Sequence, residues 1–345
     1  MEGLYMKVLI GGYTKKTSKG IYQADLTLKN GQASLENFKD YIEINGPTYF
    51  KKCGNYLFSI AKNGDEGGIS YFHLNPVKLI NSVFQTGSSP AYLGINEDKQ
   101  LVYTANYHTA YLSVYHYDNQ GVSLVDQIKH DNFNLGPRPE QSDGAHPHFF
   151  DETPSGKLVS CDLGNDSVDF YELKDGHLVH LARYLNEAGF GSRHIVFNKE
   201  NNCFYVAGEL SSKVNVVKYN ERTWEFENIA TYKTIPDDYT EHNGVAAIRM
   251  SNDGKFLYLS NRGHNSITVF KIKNDHTLEL IQRISTFGEF PRDFNWDSSE
   301  KWVIVANQNT DNATLYERNS EMGTLAVVQK DVAVPEGTCV IFSKE

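Results

Sequence analysis

Five segments of the chain repeat one pattern of apolar and polar positions. In each, a short apolar run, a polar turn and a second apolar run are followed by a small polar cluster and an alternating third run. The segments are "SPAYLGINEDKQLVYTANYHTAYLSVYHY", "HPHFFDETPSGKLVSCDLGNDSVDFYEL", "SRHIVFNKENNCFYVAGELSSKVNVVKY", "VAAIRMSNDGKFLYLSNRGHNSITVFKI" and "PRDFNWDSSEKWVIVANQNTDNATLYER". Period-two alternation with many β-branched and aromatic residues is typical of strands. Helical periodicity is nearly absent, so the repeat predicts an antiparallel β-meander.

Two further parts of the chain complete the repeat. "GPTYFKKCGNYLFSIAKNGDEGGISYFHL" is a weaker copy, and "MKVLIGGYTKKTSKGIYQADL" supplies the second and third strands of another. The missing first strand of that unit is found near the other end of the chain, as "EGTCVIFS". Units at a period of roughly 50 residues predict an all-β, seven-bladed β-propeller as one domain over residues 1–345. Pairing of the C-terminal strand into the N-terminal blade closes the ring and removes an exposed sheet edge.

One long segment interrupts the repeat. "DQIKHDNFNLGPRPEQSDGA", residues 126–145, precedes "HPHFF" and contains two prolines and two glycines, so we expect a loop. Loops of this length in compact domains often serve as lids over a site. Length alone is equally compatible with a neutral surface excursion.

Composition narrows the classes of function. The formal net charge is −10, which argues against a surface for nucleic acid or anionic membrane. No window approaches the apolar length of a membrane span, and no secretion signal is visible. The four cysteines are far apart with no CxxC spacing, which is not typical of a disulfide or zinc framework. We therefore expect a cytoplasmic protein; its oligomeric state cannot be predicted.

Topology places certain positions together. In a propeller blade the first strand begins, and the second strand ends, at the same mouth of the central channel. First-strand starts contribute His146, His148, Arg193, His194 and Arg292. The second strands are predicted to end at Gly12, Lys62, Asn106, Asp162, Glu209, Asn261 and Asn307. These ends contribute Lys62, Asn106, Asp162, Glu209, Asn261, Arg262, Asn307 and Gln308 to the mouth. Arginines, a lysine and histidine at one mouth of an acidic protein predict an anion site.

Among these residues Glu209 is a candidate general acid or base, tuned by adjacent cations. For Asp162 and the asparagines we favour a structural interpretation, because such side chains commonly hold turns through hydrogen bonds to backbone groups.

The stretch "DGAHPHFFDE" raises the question of a metal. Residues i and i+2 of a strand face the same side, so His146 and His148 are compatible with a metal pair, a catalytic base with a neighbour, or two ordinary polar residues. A catalytic zinc needs about three protein ligands, and no third histidine or cysteine recurs nearby. Arginines in the same space also disfavour a hard cation. We therefore predict a site without metal.

The ordered motifs "HPHFF", "DLGNDSVDFYEL", "GSRHIVF", "GELSSKVNV", "VAAIRMSNDGKFLYLSNRGHNSITVF" and "GEFPRDFNWD" resemble those of the propeller-type lactonase family. The resemblance runs from "GGYT" to "GTCVIF". Bacterial 6-phosphogluconolactonases belong to this family, and fungal carboxymuconate cycloisomerases are relatives.

The resemblance implies a metal-free site with no cofactor. It places the acting residues at His146 rather than His148, and at Arg193, Glu209 and Arg262. The family's "GPRH" reads "GSRH" here, which keeps Arg193 and loses a proline. The long loop is also similar to that of bacterial members, so Arg138 or Gln141 is expected to approach the substrate.

These features lead to one main hypothesis and two rivals. The main hypothesis is hydrolysis of 6-phosphogluconolactone by water, with Glu209 or His146 as general base and Arg193 and Arg262 stabilising the oxyanion. Arg292, Lys62 or Arg138 would bind the phosphate, and His148 and His194 would support substrate binding. The first rival is a lactonase or cycloisomerase for another anionic lactone. The second is a non-enzymatic propeller that binds a protein partner, which predicts exposed aromatic patches rather than convergent cations.

Overall fold

Four-stranded antiparallel sheets account for nearly all regular structure in the chain. The computed structural model describes residues 3–198 and 202–343. Its strands form seven sheets, which confirms the predicted seven-bladed β-propeller. Within the described ranges the helical structure is one 3-10 turn, Pro139–Gln141, in agreement with the near absence of helical periodicity.

We number the sheets by chain order and give their strands in order of pairing. Sheet 1 consists of β28 (Gly337–Ser343), β1 (Gly3–Gly12), β2 (Gly20–Lys29) and β3 (Gln32–Glu43). Sheet 2 consists of β4 (Phe50–Cys53), β5 (Tyr56–Asn63), β6 (Glu66–Leu74) and β7 (Val77–Thr86). Sheet 3 consists of β8 (Tyr92–Asn96), β9 (Leu101–Ala105), β10 (Tyr111–Tyr117) and β11 (Val122–Lys129).

The remaining sheets follow the same meander. Sheet 4 consists of β12 (Pro147–Glu152), β13 (Leu158–Asp162), β14 (Ser167–Lys174) and β15 (His177–Leu185). Sheet 5 consists of β16 (Ser192–Asn198), β17 (Cys203–Gly208), β18 (Lys213–Asn220) and β19 (Glu225–Lys233). Sheet 6 consists of β20 (Gly244–Met250), β21 (Phe256–Arg262), β22 (Ser266–Ile272) and β23 (Leu278–Ser285). Sheet 7 consists of β24 (Pro291–Trp296), β25 (Trp302–Asn307), β26 (Asn312–Arg318) and β27 (Leu325–Ala333).

The chain divides into two compact units. The first unit comprises Met1–Lys52, Ile235–Lys273 and Leu278–Glu345, and so contains sheets 1, 6 and 7. The second unit comprises Cys53–Thr234 with Asn274–Thr277, and so contains most of sheets 2 to 5. That the whole chain is a single domain stays a prediction.

The C-terminal strand completes sheet 1, as the sequence predicted. β28 runs antiparallel to β1, with Lys7 opposite Ser343 and Ile10 opposite Val340. The register shifts at Gly12, where a Cβ atom would overlap the carbonyl group of Glu336. Only glycine permits this close approach of two backbones. The pairing gives β1 a partner on each side, so it is not an open edge.

Apolar side chains from neighbouring sheets interlock in the core of the first unit. One cluster joins sheets 1 and 7 and includes Ile10, Leu26, Ile304 and Val340, each at most 1% exposed. Burying side chains of this size contributes about 1.5–3 kcal/mol each. Alternate residues of each strand therefore face neighbouring sheets, as the period-two pattern predicted.

The predicted strand ends agree with the structure to within one residue. The second strands of sheets 1, 4 and 7 end at Gly12, Asp162 and Asn307, as expected. The long segment begins later than predicted, because its first four residues extend β11 to Lys129. Among the described residues no helix has the length and apolar character needed to cross a membrane.

Ile10→Ala tests the contribution of the core between sheets 1 and 7. Ile10 is fully buried, so the variant loses apolar burial and leaves a cavity. We expect the free energy of unfolding, measured by urea denaturation, to fall by about 2–5 kcal/mol. Ile341→Ala is the control, because Ile341 is only half-buried on β28. Equal losses in the two variants would contradict this description of the core.

Candidate active site

A salt bridge between Arg193 and Glu209 is the centre of the predicted site in the second unit. Arg193 is the second residue of β16, and Glu209 directly follows β17. The Glu209 amide donates to the Gly191 carbonyl over 2.8 Å, which fixes the end of β17 beside the start of β16. Arg193 Nε lies 2.8 Å from Glu209 Oε2, with side chains 3% and 19% exposed. Two of the four predicted catalytic residues are thus in direct contact.

The segment before Arg193 is anchored by Asp166, a residue to which no sequence pattern pointed. The fully buried Asp166 carboxylate accepts hydrogen bonds from the backbone N–H groups of Gly189 (2.7 Å) and Gly191 (2.6 Å). Both glycines have positive φ, 80° and 71°, so this turn suits residues without a Cβ atom. Burial raises the pKa of Asp166, and the hydrogen bonds from Gly191, Gly189 and Gln141 oppose that shift. Asp166 therefore sets the backbone position from which Arg193 extends.

The Asp166 carboxylate also holds the long loop in place. Gln141 is fully buried, and its Nε2 donates to Asp166 Oδ1 (2.7 Å) and to the Leu163 carbonyl (2.8 Å). Its Oε1 accepts a hydrogen bond from the Arg138 backbone N–H over 3.1 Å. These contacts give Gln141 a structural function, while Arg138 is exposed. Contact of either side chain with a substrate stays a prediction.

His146 is held between two acceptors. Its Nδ1 donates to the Tyr107 carbonyl (2.7 Å), and its Nε2 lies 2.8 Å from Asp143 Oδ1. The hydrogen bond from His146 holds the pKa of Asp143 below its usual value. The imidazole also stacks on the Tyr107 ring, with centroids 4.2 Å apart and planes 8° apart. His146 lines an open groove of about 550 Å³ together with Asp143, His130 and Lys129.

His148 contacts a different partner. Its Nδ1 lies 3.2 Å from Nε2 of His194, and both rings are buried. The rings of Tyr107 and His148 form a T-shaped pair, with centroids 5.9 Å apart. β12 begins at Pro147 and its register shifts between Pro147 and Phe149. His146 thus lies outside the regular strand, and the simple same-face expectation for the two histidines does not describe their contacts.

Asp162 has the structural function that we favoured. Its fully buried carboxylate accepts hydrogen bonds from the backbone N–H groups of His146 (2.8 Å) and Asn165 (3.0 Å). Asp162 Oδ2 also lies 2.7 Å from His130 Nδ1, and His130 Nε2 lies 2.7 Å from the Tyr171 hydroxyl. Asp162 therefore holds the start of β12 and one end of the long loop.

The first unit contains Arg262 and Arg292, the two other predicted arginines. The buried Arg262 guanidinium donates to the carbonyl groups of Gly244 (3.2 Å) and Val245 (3.3 Å). Arg292 Nη1 donates to the hydroxyl oxygen of Tyr13 over 3.0 Å. Tyr13 directly follows β1, and the sequence pattern did not point to it because the predicted strand end is the preceding residue, Gly12.

Lys62 lies exposed near the end of β5 in the second unit. That it shares one substrate pocket with the arginines of the first unit stays a prediction. In residues 3–198 and 202–343 no group of three or more His, Cys, Asp or Glu side chains is arranged to hold a metal ion.

Comparisons with known proteins cover nearly the whole chain. The sequence profile described as "Lactonase, 7-bladed beta-propeller" matches residues 7–342. A 6-phosphogluconolactonase of Bacillus subtilis (strain 168) is 35% identical over 344 residues, covering 96% of this chain and 97% of the relative. An uncharacterized protein of Lactococcus lactis subsp. cremoris is 42% identical, covering 97% and 98%. The crystal structure of a protein from Lactobacillus plantarum superposes with a TM-score of 0.94, at 45% identity and full coverage of both chains.

Asp166→Asn tests whether this carboxylate positions the start of β16. An amide has one acceptor oxygen, so the variant loses at least one of the bonds to Gly189, Gly191 and Gln141. We expect the free energy of unfolding to fall by about 1–3 kcal/mol, and hydrogen exchange at the Gly189 and Gly191 amides to accelerate.

Asp175→Asn is the matched control. Asp175 has a similar left-handed backbone, with φ 51° against 56° for Asp166, but its side chain is exposed. Unchanged exchange at Gly189 and Gly191 in Asp166→Asn, or the same stability loss in both variants, would refute the anchoring function.

Proposed function

Because the chain belongs to the seven-bladed β-propeller lactonase family, as its motifs indicated, we propose that it hydrolyses 6-phosphogluconolactone to 6-phosphogluconate. The observation that carries this proposal is the Arg193–Glu209 pair, a carboxylate and a guanidinium in contact at adjoining strand ends. The name of the Bacillus subtilis relative, a 6-phosphogluconolactonase, supports the choice of lactone.

Glu209 is the general base in this proposal. A general base needs a lone pair that can reach the proton of the attacking water. Glu209 Oε2 faces Arg193, and the side chain is 19% exposed, so water can approach the carboxylate. His146 is the less suitable base, because Nδ1 faces a carbonyl group and Nε2 faces a carboxylate. We assign His146 to orienting the site rather than to proton transfer.

The reaction then follows from ordinary acyl chemistry. Glu209 takes a proton from water while the water oxygen bonds to the lactone carbonyl carbon, and the carbonyl oxygen becomes an oxyanion. A guanidinium carries five N–H donors, so Arg193 can contact Glu209 through Nε and also donate to that oxyanion. Collapse of the tetrahedral intermediate breaks the bond to the ring oxygen, which takes the proton from Glu209. The product is an open-chain hydroxy acid, and no metal or cofactor takes part.

Arg193 also favours the form of Glu209 that a general base requires. An adjacent cation favours the ionised form of a carboxylate, which is the form that can accept a proton. Because Arg193 is 3% exposed, the pair is largely shielded from the screening that weakens surface salt bridges. Removing one partner of such a pair leaves the other charge buried without compensation.

Glu209→Gln should reduce kcat for 6-phosphogluconolactone by about 10²–10⁴-fold, the range typical of a lost general base. The amide keeps the size of the side chain but cannot accept the proton. Acid release in a pH-stat, corrected for spontaneous hydrolysis, measures the rate. Glu187→Gln is the control, since Glu187 forms a surface ion pair with Lys213 and should leave kcat unchanged.

A metal chelator tests the proposed mechanism in a separate experiment. We expect added chelator to leave the wild-type rate unchanged. If chelation abolished activity while Glu209→Gln retained it, the proposed mechanism would be wrong.

The phosphate group of the substrate should also matter. We expect kcat/KM for 6-phosphogluconolactone to exceed that for unphosphorylated gluconolactone by at least about tenfold, because charge-assisted hydrogen bonds to phosphate are lost with the latter. Parallel assays of the two lactones measure the ratio. Equal values would favour another lactone as substrate, and the absence of hydrolysis of either would favour a binding function.

A further inference from the structure

A tyrosine surrounded by cations lies in the first unit. Tyr13 directly follows β1, and its hydroxyl oxygen accepts a hydrogen bond from Arg292 Nη1 over 3.0 Å. The Arg292 guanidinium carbon is 5.5 Å from the centroid of the Tyr13 ring, and Lys15 Nζ is 4.4 Å from it. Arg262 is close enough to act on the same phenol electrostatically. Three cationic side chains thus act on one phenol, and Arg292 donates directly to its oxygen.

The chain around Tyr13 is fixed in advance of any ligand. The buried Glu336 carboxylate accepts hydrogen bonds from the backbone N–H groups of Lys15 (3.1 Å), Lys16 (2.9 Å) and Ser18 (3.4 Å). The Tyr13 backbone N–H donates to the Glu336 carbonyl group over 3.1 Å. Glu336 is therefore turned toward backbone donors rather than toward the cations. A loop held in this way loses little conformational entropy when a ligand binds.

The electrostatics of Tyr13 agree with a local excess of positive charge. The Arg292 guanidinium lowers the pKa of Tyr13, and Lys15 and Arg262 add to this effect, although burial of the phenol raises the pKa. Within residues 3–198 and 202–343, neither Lys15 nor Arg292 forms a salt bridge with a carboxylate. The charges of Lys15 and Arg292 are thus available to an anion.

We propose that Tyr13, Lys15 and Arg292 form an anion site for a phosphate monoester, with the Tyr13 hydroxyl as a hydrogen-bond donor to it. The Tyr13 oxygen accepts from Arg292, so its own hydrogen is directed to another acceptor. A phosphate monoester has three terminal oxygens and a charge near −2, which matches one phenol donor, one ammonium group and one guanidinium. A carboxylate offers two oxygens and a single charge.

This inference rests on the proposed function for the identity of the ester, which would be the phosphate of the lactone. The site itself depends only on residues of the first unit. Separate measurements of phosphate binding and of lactone hydrolysis therefore distinguish failure of this site from failure of the lactonase proposal.

The binding experiment uses inorganic phosphate as the probe and the full chain as the protein. Isothermal titration calorimetry should show phosphate binding to the wild type, weakened about tenfold or more in Tyr13→Phe and in Arg292→Leu. Lys15→Gln, at an exposed position, should weaken binding severalfold with no effect on folding. Tyr41→Phe is the matched control: Tyr41 is half-buried in the same unit, and burial alone raises its pKa. It should bind phosphate like the wild type.

A spectroscopic measurement distinguishes direct contact from a structural effect. Bound phosphate offsets the positive charge near Tyr13, so it should shift the ionisation of one tyrosine to higher pH. The ultraviolet difference spectrum of tyrosinate detects this shift, which should be absent in Tyr13→Phe and present in Tyr41→Phe. If Tyr13 had only a structural function, its ionisation would not depend on phosphate.

Several outcomes would overturn the inference. Wild-type affinity in Tyr13→Phe, Lys15→Gln and Arg292→Leu would do so, as would acetate binding as tightly as phosphate. Hydrolysis of 6-phosphogluconolactone with an unchanged KM in Tyr13→Phe and Arg292→Leu would reject this site while leaving the lactonase function intact. Phosphate binding that is lost in the variants, without any lactone hydrolysis by the wild type, would support the site and reject the proposed function.

Discussion

The end of β13 and the turn that follows it carry two fully buried carboxylates, Asp162 and Asp166, on which the arrangement of the second unit depends. Buried charge is costly unless hydrogen bonds replace the lost water. Asp162 takes its bonds from the start of β12 and from His130 at one end of the long loop. Asp166 takes its bonds from the Gly189–Gly191 turn and from Gln141. Satisfying these carboxylates therefore fixes the segments that carry His146 and Arg193.

This arrangement explains how a salt bridge can be held at strand ends where the pairing of β16 with β17 shifts register, between Ser192 and His194. The backbone bond from Glu209 to Gly191 and the Asp166 bonds to Gly189 and Gly191 act on the same short turn. The backbone of this turn therefore places Arg193 and Glu209 side by side. The first unit follows the same physical rule, because Glu336 holds the loop that carries Tyr13 and Lys15. In both units a buried carboxylate satisfies backbone donors, and charged side chains extend from the segment that it fixes.

The sequence predicted the candidate site best where a residue's position follows from strand order. Arg193 and Glu209 were expected to meet because a first strand begins where a second strand ends, and they lie in contact. Arg262 and Arg292 were predicted by the same rule, and in the first unit both act electrostatically on Tyr13. Gln141 was expected to approach the substrate; its amide donates hydrogen bonds to Asp166 and Leu163, and contact with a substrate stays a prediction. Tyr13, Asp166 and Tyr107 were missed because each acts through a loop, where no period relates residue number to direction.

Much about this protein was determined by its sequence alone. The sequence predicts the seven-unit repeat, the strand ends and the return of the C-terminal segment to β1. It can do so because alternation and period are local properties of the chain. The family resemblance likewise rests on ordered motifs. Only the tertiary structure decided the partners of the two histidines of "HPH". His146 lies between Tyr107 and Asp143, whereas His148 lies against His194. Tyr107 and His194 are 39 and 46 residues away from their histidine partners along the chain, and no local pattern of the sequence relates positions so far apart.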